Sequence, residues 1–430
     1  MRSSSAVGSP LAGSPLAHAR HGLDACVHCG FCLQACPTYV ALGDENDSPR
    51  GRLVIMRGLV AGTLSPWDED VHTHIDRCLG CRACETACPS GVPYGELLEA
   101  TRATLPANPR HSSAARLVLW LFSRDAWLLA ALFAARLLRA SGIPALLSRL
   151  PGQVGFAMAM LAATRSPVRS RAYRPEGTGA RGTVAVLRGC VMHGLYRGTN
   201  RATERTLIAN DYAVVHAPGQ QCCGALHAHA GDLDTARALA RANVAALEAS
   251  EADFVAINAA GCGAMIKAYG ALLGDEPAFA DRAAVIAERA RDVTELLAEA
   301  GPARGSSLPF AQRVTVTYDP PCHLMHAQRV TSAPLALLAA VPGIDLVPLA
   351  DADQCCGSAG IYNLTEPELA AAILAPKVAC IVETAASLVA TGNPGCLMQI
   401  GAGLIRAGSR ARTVHPVDLL DASYAASSPA

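Results

Sequence analysis

Two segments of the chain, CVHCGFCLQACP at residues 26–37 and CLGCRACETACP at residues 78–89, share one cysteine spacing. In each segment three cysteines stand three positions apart, and a fourth follows four positions later, directly before a proline. A tight loop can wrap three thiols at this spacing around one face of a bound group. The proline fixes φ and removes a backbone donor, so it directs the chain away from that loop. The sequence therefore predicts two copies of one ligand-binding loop.

The repeated spacing predicts two [4Fe–4S] clusters. A cubane cluster needs four converging thiolates, and in two-cluster ferredoxins the fourth cysteine of each run ligates the cluster of the other run. The first predicted ligand set is Cys26, Cys29, Cys32 and Cys88, and the second is Cys78, Cys81, Cys84 and Cys36. Zinc is the weaker alternative, because CxxC pairs also form zinc knuckles. The exchanged fourth ligands require neighbouring clusters within a mostly helical, two-cluster [4Fe–4S] ferredoxin-type domain at 21–105.

The 41 residues between the two runs exceed what a minimal ferredoxin needs. They include DSPRGRLVIMRGLV at 47–60, whose apolar residues have helical spacing. We expect this insertion to pack as helices against the cluster loops. Its arginines, Arg50, Arg52 and Arg57, are expected on a solvated face, with compensation of cluster charge as the alternative.

The second half of the chain alternates short β-branched segments with Ala- and Leu-rich amphipathic segments. The predicted strands are 183–187, 213–217 and 253–258 in a first copy, and 314–319, 346–350 and 387–392 in a second copy. This alternation is typical of βα units around a mainly parallel sheet. It predicts two α/β repeats, at 179–305 and 311–425, and an α+β multidomain protein as a whole.

The remaining cysteines repeat in step with these strands. They are Cys190, Cys222, Cys223 and Cys262 in the first copy, and Cys322, Cys355, Cys356 and Cys396 in the second. Each follows a predicted strand, which is where α/β folds place ligand sites. Adjacent cysteines can reach two atoms of a polynuclear cluster, and the glycine after each pair lets the backbone approach closely. We therefore predict a further iron–sulfur centre in these CCG repeats, with a redox or structural thiol set and zinc as alternatives.

Four other residues near these patterns have simpler expected roles. Cys380 is left over, and we expect it to be a small buried hydrophobic residue. His193, His323 and His326 follow the first cysteine of each copy, and we expect them to be structural or surface residues. Hydrogen bonding that tunes a cluster is the alternative for one of them.

Composition excludes several classes of protein. Apolar residues make up 51% and charged residues 17%, so a sizeable core is available and global disorder is excluded. Basic and acidic residues number 36 each, with no long basic run, which argues against sequence-independent nucleic-acid binding. Residues 1–20 lack a continuous apolar segment, so we expect a disordered tail and not a signal peptide. Seventeen cysteines in such a chain favour metal ligands in a reducing compartment, the cytoplasm.

The stretch 116–150, within residues 106–178, is the most hydrophobic part of the chain. No uninterrupted apolar run reaches the roughly 18 residues that spanning a membrane requires, and Arg124 and Asp125 fall within the segment. We expect a hydrophobic helical linker of two or three buried helices. The alternative is a docking surface for a partner subunit or for the cytoplasmic face of the inner membrane.

The doubled cluster run followed by two Cys…CCG…Cys repeats resembles the iron–sulfur subunits of glycolate oxidase, also called glycolate dehydrogenase. The resemblance covers about residues 21–420 and extends to GDENDSPRGR (43–52), CRACETACPSGVPYGEL (81–97), CCGSAGIYNLTEPE (355–368) and ATGNPGCLMQIG (390–401). Related families are the C subunits of anaerobic glycerol-3-phosphate dehydrogenase and the D-type subunits of heterodisulfide reductase. In the reductases the CCG repeat ends in a further CxxC. Here Met265 and Gln399 stand at those positions, so a four-thiolate centre, or none in one copy, is expected.

The resemblance implies an electron-transfer subunit with no catalytic residue and no flavin of its own. In such complexes flavin-bearing partner subunits oxidise glycolate to glyoxylate, and the iron–sulfur subunit relays electrons to quinone or another acceptor. One alternative is the same role in a related complex, either anaerobic glycerol-3-phosphate dehydrogenase or lactate utilisation. Another is a heterodisulfide or thiol reductase that acts through the CCG repeats.

Overall fold

A computed structural model describes residues 11–107, 113–168, 173–302 and 312–427. Along the chain a helical N-terminal part is followed by a helical middle part and by two α/β repeats. Each repeat contains a four-stranded sheet in which every described pair of strands is parallel. This arrangement confirms the predicted α+β multidomain class, while the domain boundaries given above stay predictions.

The N-terminal part builds helices around the two cysteine loops. The helices are α1 (Pro15–His18), α2 (Arg20–Asp24), α3 (Pro37–Leu42), α4 (Pro49–Ala61), α5 (Glu69–Asp76), α6 (Ala83–Thr86) and α7 (Tyr94–Thr104), and Glu45–Asp47 form a 3₁₀ turn. The insertion between the runs thus folds into helices α4 and α5. Helix α4 begins after Ser48, whose Oγ accepts a hydrogen bond from the Gly51 N–H at 2.9 Å. Pro49 takes the first helical position, where no N–H donor is needed.

The prediction of a disordered tail at 1–20 is wrong for residues 11–20, the part of it that the structure describes. Residues 1–10 lie outside the described ranges. Helix α1 is ordered, because Leu16 is fully buried in the N-terminal core and its N–H donates to Thr104 Oγ1 at 3.0 Å. One apolar side chain in a segment rich in Ser, Pro and Gly has no periodicity, so the pattern gave no indication of this anchor.

Four helices form the middle part: α8 (Ser113–Phe122), α9 (Asp125–Ala140), α10 (Ile143–Leu147) and α11 (Gly152–Ala163). No single helix of the described chain is long and apolar enough to cross a membrane. Helices α8 and α9 reach that length and composition only together, with a bend of 114° between them. The expectation of buried helices is wrong for one face of α8–α10. That face, the α8–α10 surface, exposes Leu117, Trp120, Trp127, Phe133, Leu137, Ile143 and Leu146.

The first repeat has the strand order β2-β1-β3-β4. Its strands are β1 (Thr183–Val186), β2 (Ala213–Val215), β3 (Phe254–Ile257) and β4 (Ala290–Asp292). Its helices are α12 (Val191–Leu195), α13 (Arg197–Ala209), α14 (Ala225–His229), α15 (Leu233–Glu248), α16 (Ala260–Lys267), α17 (Tyr269–Leu272), α18 (Ala280–Arg289) and α19 (Val293–Ala300). The three predicted strands are present, and β4 is an additional edge strand.

The second repeat has the same topology, with strand order β6-β5-β7-β8. Its strands are β5 (Val314–Tyr318), β6 (Ile344–Val347), β7 (Leu388–Ala390) and β8 (Arg412–Val414). Its helices are α20 (Ser332–Ala339), α21 (Tyr362–Thr365), α22 (Pro367–Glu383), α23 (Pro394–Arg406) and α24 (Pro416–Ser427), and His323–Ala327 form a π-helical turn. Strand β6 lies earlier than the predicted 346–350, because Pro348 has no N–H to donate to the ladder.

The two repeats share one hydrophobic core and face each other at their cysteine loops. Val184 and Ala256 of the first sheet pack in the same cluster as Val316 and Leu388 of the second. After strands β3 and β7 the backbones meet directly, since the Ala260 N–H donates to the Gly392 carbonyl at 3.1 Å. This contact brings the carboxyl ends of both sheets, where the cysteines lie, to one place.

Candidate metal centres

The first N-terminal cysteine set surrounds a small cavity of about 30 Å³. Its members are Cys26, Cys29, Cys32 and Cys88, the set assigned to the first cluster, and Cys84 lines the same cavity. The loop curls because His28 and Gly30 adopt left-handed backbone conformations, with φ of 57° and 87°. Cys29 is exposed, so this site reaches the protein surface. Ligation by these thiols stays a prediction.

Two arginines of α4 brace the first loop. Arg50 Nη1 donates to the His28 carbonyl at 3.2 Å, and Arg57 Nη2 donates to the Cys26 carbonyl at 3.1 Å. Burial raises the pKa of Cys32 to about 11, so this thiol keeps its proton at neutral pH until a metal ion displaces it. Both arginines therefore contact the loop, while their side chains stay partly exposed as expected for a solvated face.

The second N-terminal set surrounds a cavity of about 20 Å³. Its members are Cys36, Cys78, Cys81 and Cys84, the set assigned to the second cluster. Cys78 Sγ accepts hydrogen bonds from the Gly80 N–H at 3.4 Å and from the Tyr94 hydroxyl at 3.7 Å. Because Cys84 lines both cavities, the two thiol sets are neighbours.

Arg52 lies beside the second set and is fully buried, so the expectation of a solvated face is wrong for this residue. Its Nη1 donates to Thr38 Oγ1 at 3.1 Å and lies 3.9 Å from Cys36 Sγ, and its Nη2 pairs with Asp47 Oδ1 at 3.2 Å. Burial alone would lower the pKa of Arg52, but nearby acidic groups, Cys78 first among them, raise it. Arg52 therefore stays charged where it can offset the negative charge of a thiolate-bound cluster.

In both repeats the cysteines follow the carboxyl ends of strands. Cys190, the Cys222–Cys223 pair and Cys262 follow β1, β2 and β3, and Cys322, the Cys355–Cys356 pair and Cys396 follow β5, β6 and β7. Gly224 and Gly357 close the two CCG segments with φ of 86° and 80°. A Cβ on Gly357 would lie 2.8 Å from the Ala370 carbonyl oxygen. Both the backbone conformation and the close approach therefore require glycine.

All eight repeat cysteines line one cavity of about 220 Å³ between the repeats, here called the inter-repeat cavity. The Sγ–Sγ distances are 3.3 Å for Cys223–Cys262, 3.4 Å for Cys356–Cys396 and 3.8 Å for Cys322–Cys355. The structure thus brings together two cysteine sets that lie in different repeats of the sequence. Cys380, in α22, is not among the residues that line these cavities.

The donors and walls of the inter-repeat cavity fit an iron–sulfur group. Its described lining combines thiols with apolar side chains, including Val118 and Phe122 of α8 and Met160 of α11, and contains no carboxylate. Its polar side chains other than the thiols are those of His229, His323, Ser358 and Asn393. Soft thiolate donors favour iron–sulfur clusters, zinc or copper(I), whereas hard cations favour carboxylates. An apolar shell limits solvent access, which tunes the potential of a bound centre. A further iron–sulfur centre stays our prediction for this cavity.

Two features of the sites were missed by the sequence reasoning. Cys81 lines the inter-repeat cavity in addition to the second N-terminal cavity. Lys377 is buried near the Cys355–Cys356 pair and forms an ion pair with Asp319, Nζ to Oδ1 3.2 Å. The cysteine spacing carries no signal for the first feature. The second feature has such a signal, because Lys377 is the single charged residue of the apolar segment 369–382, and a buried charge needs a partner.

Two family models match the chain. A cysteine-rich domain model, CCG, matches residues 184–267 and 316–401. A 4Fe–4S dicluster domain model matches residues 22–92. The matched segments cover the first three strands of each parallel sheet and the two N-terminal cysteine runs.

Curated relatives match over most of the chain. A probable glycolate oxidase iron–sulfur subunit of Bacillus subtilis is 38% identical over 413 residues, which is 92% of each chain. The glycolate oxidase iron–sulfur subunit of Escherichia coli is 34% identical over 385 residues, 87% of this chain and 88% of that protein. Lactate utilization protein A of Shouchella clausii is 28% identical over 232 residues, 54% of this chain and 95% of that protein.

Proposed function

The chain belongs to the family of glycolate oxidase iron–sulfur subunits, and we propose that it relays electrons from flavin-bearing partner subunits towards quinone or another acceptor. Its 4Fe–4S dicluster domain fits this electron-transfer role. The partners oxidise the 2-hydroxy acid glycolate to the 2-oxo acid glyoxylate, and this chain neither binds flavin nor contributes a catalytic residue. We propose a cytoplasmic location for the complex.

Three thiol sites in series support this proposal. Cys84 lines both the first and the second N-terminal cavity, and Cys81 lines both the second cavity and the inter-repeat cavity. Bound iron–sulfur clusters would supply one-electron carriers at these sites. The chain itself holds the thiols in place, and apolar side chains surround much of the inter-repeat cavity. Because neighbouring sites share a lining residue, no insulating stretch of protein separates them.

The first N-terminal cavity has the features expected of the site that receives electrons from the flavoprotein partner. Cys29 is exposed, and the neighbouring Val27 and Phe31 are 68% and 69% exposed. Aromatic and aliphatic side chains are typical of the centre of protein interfaces. A flavoprotein that contacts these residues would bring its donor next to the first cysteine set.

Glycolate is expected to reduce this chain only through the flavoprotein partner. Anaerobically purified chain is mixed with glycolate and a trace of partner subunits co-purified from the native host, and visible absorption of the iron–sulfur clusters is followed. We expect bleaching with glycolate and little with L-lactate, which separates this function from lactate utilisation. Reduction of a disulfide substrate by the isolated chain, without bleaching by glycolate and partner, would contradict the proposal.

The α8–α10 surface has the composition of a membrane-contacting surface. Residues 113–150 contain five arginines and one aspartate beside the exposed tryptophans and leucines. Arg124 lies 4.5 Å from the ring centre of Trp120, and Arg136 lies 5.4 Å from that of Phe133. Apolar side chains next to basic residues are typical of helices that lie in the interface of anionic membranes. Since α8 also lines the inter-repeat cavity, this contact would bring that cavity close to a membrane-dissolved quinone.

Charge introduced into this surface is expected to weaken membrane binding. Trp120 and Trp127 are 42% and 61% exposed, with ring centres 6.3 Å apart. We expect the double variant Trp120→Glu, Trp127→Glu to bind vesicles of anionic phospholipid at least about tenfold more weakly in co-sedimentation, a change of about 1.4 kcal/mol. Trp67→Glu is the matched control, because Trp67 is 74% exposed on the N-terminal part. Equal binding by the double variant, the control and the unmodified chain would exclude this surface.

A further inference from the structure

Cys81 belongs to two cavities at once. It lines the second N-terminal cavity with Cys36, Cys78 and Cys84, and it lines the inter-repeat cavity with the eight repeat cysteines. Of the cysteines in the two N-terminal runs, all within the described chain, no other lines the inter-repeat cavity. Cys81 therefore lies between a predicted ligand set of the ferredoxin-type part and the thiols of the repeats.

The thiol of Cys81 meets the cysteine set of the second repeat. Cys81 packs in one cluster with Cys322 and Cys355. Cys81 and Cys355 also line the same cavity, and Cys355 Sγ lies 3.8 Å from Cys322 Sγ. A fifth thiol, contributed by a distant part of the chain, is thus added to the four of the second repeat.

Hydrogen bonds from the second repeat hold the loop that carries Cys81. The three pairs are His323 Nε2 with the Gly80 carbonyl at 3.0 Å, the Tyr362 hydroxyl with the Arg77 carbonyl at 2.8 Å, and His326 Nδ1 with Thr86 Oγ1 at 2.7 Å. These contacts lie on both sides of Cys81 in the sequence. The position of its thiol is therefore fixed by the second repeat and does not depend on the loop alone.

The first repeat has no equivalent thiol among the residues that the structure describes around it. The N-terminal part reaches this repeat through α7, where Arg102 Nη1 donates to the His229 carbonyl at 2.8 Å and Glu99 Oε1 lies 2.9 Å from His229 Nδ1. Neither repeat contains a CxxC at its last cysteine, since Met265 and Gln399 stand three residues after Cys262 and Cys396. The first set thus has four thiols and the second has five.

We propose that Cys81 is a shared thiolate, which ligates the second cluster of the ferredoxin-type part and also completes a five-thiolate set in the second repeat. A thiolate sulfur carries more than one lone pair, so one sulfur can bind two metal ions. The inference rests on the proposed function, because it takes cluster binding at both sites as given. It makes the two CCG repeats inequivalent, and it makes the second repeat the one that is linked to the ferredoxin-type part.

Paired variants of the full chain, purified without oxygen, test the shared thiolate. Cys78 is the matched control, because it lines the second N-terminal cavity but not the inter-repeat cavity. We expect Cys78→Ala to lower the iron content by about one cluster and Cys81→Ala by about two. Cys81→Ala also alters the EPR signal that Cys356→Ser removes. The proposal is overturned if Cys78→Ala and Cys81→Ala lose the same amount of iron and Cys81→Ala leaves that EPR signal unchanged.

A reciprocal pair covers the case in which Cys81→Ala does not fold. Cys355→Ser is expected to shift the EPR signal and midpoint potential of the second ferredoxin-type cluster. Cys222→Ser, at the same position of the first repeat, leaves both at their original values. Equal behaviour of these two variants would show that no thiolate is shared. An iron content of only about eight per unmodified chain would contradict the proposed repeat centre as well. If the iron content is higher and the two members of each pair behave alike, only the shared thiolate is wrong.

Discussion

Cys356→Ser is expected to stop electron delivery from glycolate to the acceptor while both ferredoxin-type EPR signals remain. Cys356 is buried, and its Sγ lies 3.4 Å from that of Cys396. Loss of an outer-shell partner typically costs about 10–100-fold in metal affinity or activity, and loss of a thiolate ligand costs more. We therefore expect acceptor reduction, assayed with the flavoprotein partner, to fall by more than about a hundredfold.

Cys380→Ser is the control for this variant. Cys380 belongs to the same repeat, but it is not among the residues that line the inter-repeat cavity. The Cys380→Ser variant should therefore transfer electrons at the same rate as the unmodified chain. Cys223→Ser tests the first repeat in the same assay. Full acceptor reduction by both Cys356→Ser and Cys223→Ser would show that electrons leave the chain before they reach the repeats.

Arg52→Met is expected to destabilise the N-terminal part and to cause loss of the second cluster. Arg52 is fully buried, and its removal would leave Asp47 buried with one partner fewer and the His74 carbonyl without the donor that now lies 2.6 Å away. Breaking a buried ion pair from one side typically costs about 3–5 kcal/mol. We expect a loss of that size in the free energy of unfolding, measured by denaturant titration under anaerobic conditions, together with a lower iron content.

Arg50→Met provides the comparison. Arg50 lies two residues away on the same helix, but its ion pair with Glu45 is partly exposed, and exposed pairs contribute little to stability. Arg52→Lys should rescue only part of the loss, because an ammonium group cannot reproduce the several fixed donors of a guanidinium. Equal stability of Arg52→Met and Arg50→Met would mean that the buried charge has no structural role.

The sequence predicted those parts of the fold and sites that depend on local spacing. The doubled cysteine run and the step-wise repeat of the other cysteines indicated two related halves and where the thiols would gather. The alternation of β-branched and amphipathic segments predicted the strands β1, β2 and β3 to within two residues. Periodicity is a local property, and it can therefore be recognised in a single sequence.

Other features depend on contacts that no local pattern encodes. Strands β4 and β8 have three residues each, too few for a periodic pattern, so pairing with β3 and β7 defines them. Arg52 occupies a polar position of an amphipathic helix and became a core residue because Asp47 and the second cysteine set lie against it. The apolar α8–α10 surface has the same composition as a buried helix, and only the structure distinguishes the two.

The three thiol sites of the chain lie in series. Exposed Cys29 lies at one end of the series of thiol sites, and the inter-repeat cavity under α8 and α11 lies at the other. Between them, Cys84 and Cys81 join each cavity to the next. This arrangement supports our proposal that the ferredoxin-type part and the CCG repeats transfer electrons together.

The measurement that tests this account most directly is an anaerobic glycolate titration with a trace of the flavoprotein partner, in which iron, sulfide and accepted electrons are counted per chain. The account predicts about twelve to sixteen irons and at least about three electrons, because two cubane clusters and a centre in the repeats would each accept one. A colourless, iron-free chain that still carries glycolate electrons to the acceptor would contradict it.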